Sequence, residues 1–386
     1  MANHCTFLHV RLIILLSFLS GFHADKFAGR FLQKALEFSG KDNVIVSPFS
    51  AREALAQVYV GVRDHAADEL HRVLQLSGYS KSEAVEEFRK FHEIWAPGGD
   101  ATLKIANRIF VAEKFPLLPK YMDLITKSFR TGITNINFEQ NKEAASIINQ
   151  WISKRTKTLI KKIVNADNLD KDFKLMVISA IYFHGKWETP FDPEETVKQK
   201  FFALGEGPVK VDMMHGLISI LHGRINDLDA HAVEIPYMNS NISMLVILPN
   251  KQHGLLQVEN LLHTVNLFTV TSGFKKRQIE LALPKFSFEF DMILNQPLKE
   301  MGIRQIFQHP DFRDMTSSRE RLYVSEVIQK AVMKVNEDGS RPVTGTVIST
   351  VIKSRRPQSF IVDHPFLFAI KDQQRVFFAG RVKRLN

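Results

Sequence analysis

The segment LYVSEVIQKAVMKVN (Leu322–Asn336) and the four residues EDGS that follow it (Glu337–Ser340) are the most informative part of this chain. Leu322–Asn336 is rich in β-branched and apolar residues, as strands are. A polar run with the basic cluster KSRR (Lys353–Arg356) comes next, and a second strand-like segment, FIVDHPFLFAI, occupies Phe360–Ile370. Two strands separated by a long polar and basic stretch predict a loop on the protein surface.

Three segments elsewhere form a pattern with this one, namely NVIVSPFS (Asn43–Ser50), MVISAIYFHGKW (Met176–Trp187) and FAGRV (Phe378–Val382). Together with the order SEV, KAV, VNEDGS and DHPFLF, they resemble the signature blocks of the serpin family, over nearly the whole chain and in the style of invertebrate members. The resemblance implies an α+β protein with the serpin fold, in which helices pack on large mixed β-sheets and a reactive-centre loop is exposed.

The composition is that of a globular protein large enough to bury a core. The chain has 386 residues, of which 45% are hydrophobic and 24% are charged. No linker rich in proline, glycine or serine, no repeat and no low-complexity block divides it. We therefore expect residues 25–386 to form a single serpin domain, with the reactive loop at about residues 337–359. Helices are expected in the first half of the chain and strand-rich blocks after it. The near-continuous apolar run of Met176–Trp187 predicts a central strand, and residues 279–290 are expected to hold a pair of strands.

Residues 1–24 are predicted to be a secretory signal peptide. Arg11 provides a positive charge, the apolar run Leu12–Leu19 follows, and the small residues Gly21 and Ala24 come next. The apolar run is too short to span a bilayer. We expect cleavage between Gly21 and Ala24, and therefore a secreted, extracellular protein. The alternative is that this segment is a buried N-terminal helix.

Two further features bear on secretion. Cys5 is the one cysteine of the chain and lies inside the predicted signal, so the processed protein has no disulfide, cysteine–metal site or cysteine nucleophile. The sequon Asn241-Ile242-Ser243 lies in a turn between two predicted strands, and N-glycosylation of Asn241 is expected in a secreted protein.

The sequence contains none of the common catalytic motifs. The GxSxG elbow and the HExxH, P-loop and EF-hand spacings are absent, and the 14 histidines are scattered. His364 is predicted to be a core or loop-anchoring residue rather than a ligand. We therefore predict a protein that is not an enzyme, with no cofactor, metal, nucleic-acid partner or membrane partner, and a monomer.

The formal net charge of +10 is compatible with an anionic partner. The densest basic run is predicted to lie on a helix whose apolar side includes Trp151, Ile152 and Leu159. Two interpretations are open, a weak polyanion-binding site or a solvated helix face. The run consists of Lys154, Arg155, Lys157, Lys161 and Lys162.

The resemblance implies a mechanism for the loop. In serpins, an exposed loop offers a substrate-like bond to a serine protease, and after acylation the loop inserts as a central strand into the main sheet. The family's spacing places the reactive bond at Lys353-Ser354, with Arg355 and Arg356 as alternatives. A lysine there suits the acidic specificity pocket of a trypsin-like protease. The competing interpretation is a basic loop that is merely solvated.

The segment that would insert first departs from the family's pattern. Insertion would start at Ser340, but Arg341 and Pro342 follow where inhibitory serpins have small residues, mostly alanine. Arg341 would face outward and Pro342 would face the core. Proline has no N–H and is nearly excluded from central strands. The hinge residues are Glu337, Asp338, Gly339, Ser340, Arg341 and Pro342.

A second departure concerns the place beneath the sheet where serpins commonly have a bonded asparagine and histidine. The matching positions are Ser179 and Gln329, beside Ser47 and Ser50. Gln329 can still donate and accept hydrogen bonds. Ser179 is shorter than asparagine and is expected to leave a gap. These four residues are the predicted sheet-opening cluster.

The sequence thus predicts a secreted serpin that presents Lys353-Ser354 to trypsin-like serine proteases and regulates extracellular proteolysis. Pro342 predicts that suicide inhibition is weak. Two alternatives stay open: a non-inhibitory serpin that acts as a carrier or binding module, and a fully competent serine-type endopeptidase inhibitor.

Overall fold

The computed structural model describes residues 26–40, 43–78, 80–95, 102–203, 205, 207–337 and 357–385. The predicted signal peptide, the hinge residues from Asp338 to Pro342 and the reactive-bond region Lys353–Arg356 lie outside the described residues. Within the described part, no helix is long and apolar enough to cross a membrane.

Helices are concentrated in the first part of the chain, as predicted. Ser47 caps the second helix, because its Oγ accepts a hydrogen bond from the Ser50 N–H at 3.1 Å, and Pro48 occupies the first helical position. The helices are α1 (26–38), α2 (Pro48–Gly61), α3 (Asp64–Leu74), α4 (Lys81–Ile94), α5 (Pro119–Phe129), α6 (Asn141–Arg155), α7 (Leu255–Asn260) and α8 (Asn295–Met301).

The strands of the described residues belong to two sheets. In chain order they are β1 (Val44–Val46), β2 (Thr102–Ala112), β3 (Ile133–Ile136), β4 (Leu175–His184), β5 (Val197–Phe201), β6 (Val209–Ile225), β7 (Ala230–Pro236), β8 (Ser243–Pro249), β9 (Lys275–Pro284), β10 (Phe286–Ile293), β11 (Val324–Val335), β12 (Gln358–Ile361), β13 (Phe366–Lys371) and β14 (Val376–Val382).

The five-stranded sheet has the spatial order β10-β11-β4-β2-β3. The β11–β4 and β2–β3 pairs are parallel, and the other two pairs are antiparallel. β4 is buried along almost its whole length, in agreement with the near-continuous apolar run that predicted a central strand.

The nine-stranded sheet has the order β1-β14-β13-β8-β7-β6-β9-β12, with β5 paired to the first part of β6. All its pairs are antiparallel except β12–β9. Every residue of α2 is buried, since this helix contacts β14 of the nine-stranded sheet and β2 and β4 of the five-stranded one. The core therefore lies around α2, between the two sheets.

Two local predictions are wrong. The region 279–290 was expected to hold a pair of strands, but β9 and β10 lie in different sheets and do not pair with each other. The basic run was expected to lie on one helix, but α6 ends at Arg155. Lys157 and Thr158 have φ values of 51° and 65°, and this left-handed backbone ends the helix. Leu159 is consequently 39% exposed and does not belong to an apolar helix face.

Candidate functional site

Three polar side chains lie in register across three neighbouring strands of the five-stranded sheet. Asn107 on β2 is opposite Ser179 on β4, and Ser179 is opposite Gln329 on β11. Residues in register share one face of a sheet. All three are buried, and this face is covered by the first turn of α2, where Ser47 and Ser50 lie.

Gln329 joins β11 both to α2 and to β4. Its Oε1 accepts from the Ser47 N–H at 2.7 Å, and its Nε2 donates to the Ser47 carbonyl at 2.9 Å and to Ser179 Oγ at 3.2 Å. These bonds use the donor and acceptor of the amide in a fully buried setting. We call the boundary between β4 and β11 the seam. The bond from Gln329 to Ser179 crosses it.

Ser179 leaves no gap, so the expectation drawn from its short side chain is wrong. Its hydroxyl accepts from Gln329 and donates to Ser50 Oγ at 3.0 Å. Ser50 Oγ in turn donates to Asn107 Oδ1 at 2.9 Å. The longer glutamine reaches the shorter serine, and the chain of bonds is complete.

The network extends to residues that the sequence analysis missed. The Asn107 amide donates to the Ser50 carbonyl at 3.2 Å and to Glu53 Oε2 at 2.7 Å. Glu53 is 1% exposed, and its other carboxylate oxygen contacts His92 Nε2 on α4. A carboxylate can be this deeply buried because both of its oxygens have donors. A charged pair within the otherwise small and apolar run SPFSAREALA of α2 was the available signal.

The four predicted sheet-opening residues are thus brought together, and with Asn107 and Glu53 they bond three strands to α2. To admit a strand at the seam, β4 and β11 would have to move from about 4.8 Å to about twice that distance. The Gln329–Ser179 bond would then break. That these residues control opening stays a prediction.

Glu337 lies just beyond the end of β11, where the predicted loop begins. Its carboxylate accepts from Thr196 Oγ1 at 2.8 Å and pairs with Lys285 Nζ at 2.8 Å. Burial opposes ionisation, but the bonds from Lys285, the backbone and Thr196 outweigh it and hold the pKa of Glu337 below its usual value. The residue before it, Asn336, accepts from Trp187 Nε1 at 2.9 Å. The first residue of the predicted hinge is therefore fixed in place.

The far end of the loop is also fixed. β12 begins at Gln358, so the predicted boundary at residue 359 falls inside a strand. Next in the chain, the Asp363 carbonyl accepts from the Phe202 N–H at 2.8 Å. His364 contacts the Pro249 carbonyl through Nε2 at 2.8 Å and Asp363 Oδ1 through Nδ1 at 2.7 Å. The anchoring position predicted for His364 is confirmed.

The remaining candidate residues lie on the surface. Asn241 is exposed in the turn between β7 and β8. The basic run borders a groove of about 600 Å³ between α6 and the connection to β4. The described residues contain no group of three or more histidine, cysteine, aspartate or glutamate side chains placed to hold a metal ion. The groove is lined by Ser146, Asn149, Gln150, Ser153, Lys154, Lys161 and Lys162.

Comparison with known proteins agrees with this architecture. A family model described as Serpin (serine protease inhibitor) matches residues 23–385. Iripin-2 of Ixodes ricinus is 33% identical over 363 residues, which cover 92% of this chain and 91% of that protein. Both this tick protein and the insect protein below fit the invertebrate style of the sequence.

Two solved structures are similar over the same length. The structure of Serpin48, a highly specific serpin in the insect Tenebrio molitor, superimposes with a TM-score of 0.85 at 28% identity and covers 95% of this chain and 98% of its own. Native protease nexin-1 with heparin has a TM-score of 0.85 at 25% identity and covers 96% of this chain and 100% of its own. With its five-stranded sheet, its buried α2 and these matches over nearly its whole length, the chain belongs to the serpin family of serine protease inhibitors.

Proposed function

We propose that this serpin is secreted and presents Lys353-Ser354 to trypsin-like serine proteases, with Arg355 and Arg356 as the alternative contact residues. The observation that carries the proposal is the fixation of both loop ends. Glu337 is bonded to Thr196 and Lys285 on one side, and Gln358–Ile361 pairs with β9 on the other. A basic segment held at both ends is suited to presentation as a protease substrate.

Secretion and glycosylation belong to the same proposal. The charge at Arg11, the apolar run that follows it and the small residues up to Ala24 support an exported protein. The exposure of Asn241 supports its use as a glycan acceptor.

Inhibition is proposed to be weak because insertion competes with release of the protease. In the inserted strand, the carbonyl opposite Pro342 would lose its donor, which costs about 1–3 kcal/mol when the group is buried. If that cost appears in the insertion barrier, insertion slows by about fivefold to somewhat more than a hundredfold. The protease would then hydrolyse the acyl bond and leave intact.

Incubation with trypsin, followed by denaturing electrophoresis and mass spectrometry, tests this proposal. We expect mainly a chain clipped at Lys353–Arg356, and Pro342→Ala should raise the share of covalent complex. A near one-to-one covalent complex for the unaltered chain would instead establish a fully competent inhibitor. A first cut outside the loop would favour a carrier or binding module.

The basic run supports a second partner class. We propose that a polyanion binds to the run of Lys154, Arg155, Lys157, Lys161 and Lys162. The similar structure of protease nexin-1, which was solved with heparin, supports this partner class. These five cations support the proposal because no residue of the described chain forms an ion pair with any of them.

A further inference from the structure

The groove beside α6 has a definite chemical character. Ser146, Gln150 and Ser153 lie three and four residues apart and therefore share one face of α6. Lys154 continues this side, and Lys161 and Lys162 close the groove from the connection to β4. Among the residues that the structure describes, no carboxylate lines the groove. Neutral hydroxyl and amide groups beside three ammonium groups match a ligand that carries both hydroxyls and anionic groups.

The cationic surface of α4 is different. On α4, Arg89 pairs with Glu86 and with Glu93 at 2.5 and 2.8 Å, and Lys90 lies 3.8 Å from Glu86. Those charges are compensated within the helix. The end of α6 concentrates cations that no carboxylate of the described residues pairs with, so an anion bound there relieves repulsion between them.

The connection between α6 and β4 is attached to both neighbours. Asn149 on α6 accepts from the N–H groups of Ile163 and Val164 at 2.8 and 3.2 Å and donates to the Val164 carbonyl at 2.9 Å. On the sheet side, Lys330 Nζ of β11 donates to the Lys162 carbonyl at 2.7 Å. The same backbone segment therefore touches both the groove and β11.

This connection lies over the seam. Ile152 and Ile160 pack against Ala106 and Ala180. Ala180 on β4 is in register with Lys330 on β11, directly across the seam. A strand inserted there would carry Lys330 away from Ala180 by about 4.8 Å. The connection would then have to release one of the two strands.

We propose that the groove is a site for a linear sulfated polysaccharide, and that an occupant bound by Lys154, Lys161 and Lys162 holds the connection against α6 and slows strand insertion at the seam. The binding part makes the proposed polyanion partner specific, and the coupling part rests on the proposed insertion mechanism. The direction follows from the geometry. A ligand that stabilises the connection in its position over the seam raises the barrier to any step that moves the connection away.

The experiment uses the full-length protein, heparin as the probe and neutral dextran as the control polymer. The site variant is Lys154→Gln/Lys161→Gln/Lys162→Gln. The matched control, Lys275→Gln/Lys276→Gln/Arg277→Gln, removes the same charge from exposed residues of β9. Heparin affinity is measured at several salt concentrations. Insertion is followed without a protease, as the rate at which a synthetic peptide of the loop sequence from Ser340 anneals to the protein.

We expect the site variant to lose about tenfold in heparin affinity and the control to lose much less. Heparin should slow peptide annealing severalfold in the unaltered protein and in the control, and should leave the site variant unchanged. Equal losses in the two variants, or tighter binding of single-stranded RNA than of heparin, would overturn the assignment of the groove.

The two parts fail separately. If heparin binds through the groove but annealing keeps its rate or accelerates, the coupling is wrong and the site stands. If the peptide does not anneal even without heparin, the proposed insertion mechanism fails, and the coupling fails with it. The heparin affinities still decide the site in that case.

Discussion

The two faces of the five-stranded sheet differ at adjacent positions along the same strands. On one face, Ser179 and Gln329 are bonded to each other and to α2 through buried polar groups. On the other face, Ala180 packs against Ile152 and Ile160. Lys330 donates a hydrogen bond to the Lys162 carbonyl, which lies in the connection between α6 and β4. Buried hydrogen bonds are costly to leave unmade, whereas Lys330, although it is also buried, keeps its ion pair with the exposed Glu289 if it leaves the Lys162 carbonyl. The α2 face should therefore hold the seam closed, and the α6 face should determine how easily it is uncovered.

Gln329→Met should give the largest effect on stability. Methionine keeps the length of the side chain but leaves the Ser47 N–H without its acceptor, so we expect a loss of about 2–3 kcal/mol in the free energy of unfolding. Urea unfolding at neutral pH measures it. An unchanged midpoint would show that the polar face does not stabilise the fold.

Ser179→Ala should have a smaller effect and should separate stability from opening. The substitution removes the bond that crosses the seam but leaves the Gln329–Ser47 bonds in place, so a loss of about 1 kcal/mol is expected. Loop-peptide annealing should nevertheless become faster. If annealing slows or is unchanged, this bond does not restrain the seam.

Lys330→Met tests the opposite face. The substitution removes the donor to the Lys162 carbonyl and the ion pair with the exposed Glu289, and methionine fits the apolar surroundings, so stability should fall by less than about 1 kcal/mol. The comparison between faces would be reversed if Lys330→Met cost more stability than Gln329→Met in the same urea titration.

A pair of histidines whose charge is disfavoured lies on β6 and β7, close to the strand that follows the predicted loop. The rings of His222 and His231 are stacked with centroids 5.5 Å apart, and His222 also meets Phe360 of β12 at 5.8 Å. Burial, the neighbouring His231 and Arg277 lower the pKa of His222. The pKa of His231 is likewise lowered by burial and by Arg224, although the nearby Asp229 acts in the opposite direction.

This pair should make the nine-stranded sheet sensitive to mild acid, the smallest effect expected. Since the folded-state pKa values lie below the ordinary value of about 6.5, the unfolded chain binds more protons there, and stability falls as the pH drops below about 6.5. His222→Gln should reduce the loss between pH 7 and pH 5 in urea titrations. Parallel pH profiles for the variant and the unaltered chain would contradict this assignment.

The resemblance located Ser47, Ser50, Ser179 and Gln329, but the way they bond could not be predicted from it. Asn107 joins the network only because β2 pairs with β4 at a register that places it opposite Ser179, and register between distant strands leaves no local trace in a sequence.

Other failures have equally physical causes. β9 and β10 are adjacent in the chain and strand-like, yet nothing local shows that they enter different sheets. The end of α6 has no glycine or proline to mark it, since Lys157 and Thr158 adopt the left-handed backbone themselves. The residue types alone predict the chemistry of the loop. They do not show that Glu337 and β12 fix its two ends.

The position of β13 and β14 has a consequence for the fate of a clipped molecule. Both strands lie inside the nine-stranded sheet, between β1 and β8, and every residue in them is buried. A cut at Lys353 would leave them on a separate polypeptide that is still interleaved with the rest of the core. The product should therefore migrate as one particle on a sizing column and separate into two pieces only in denaturant. A sizing column alone would thus miss the cleavage.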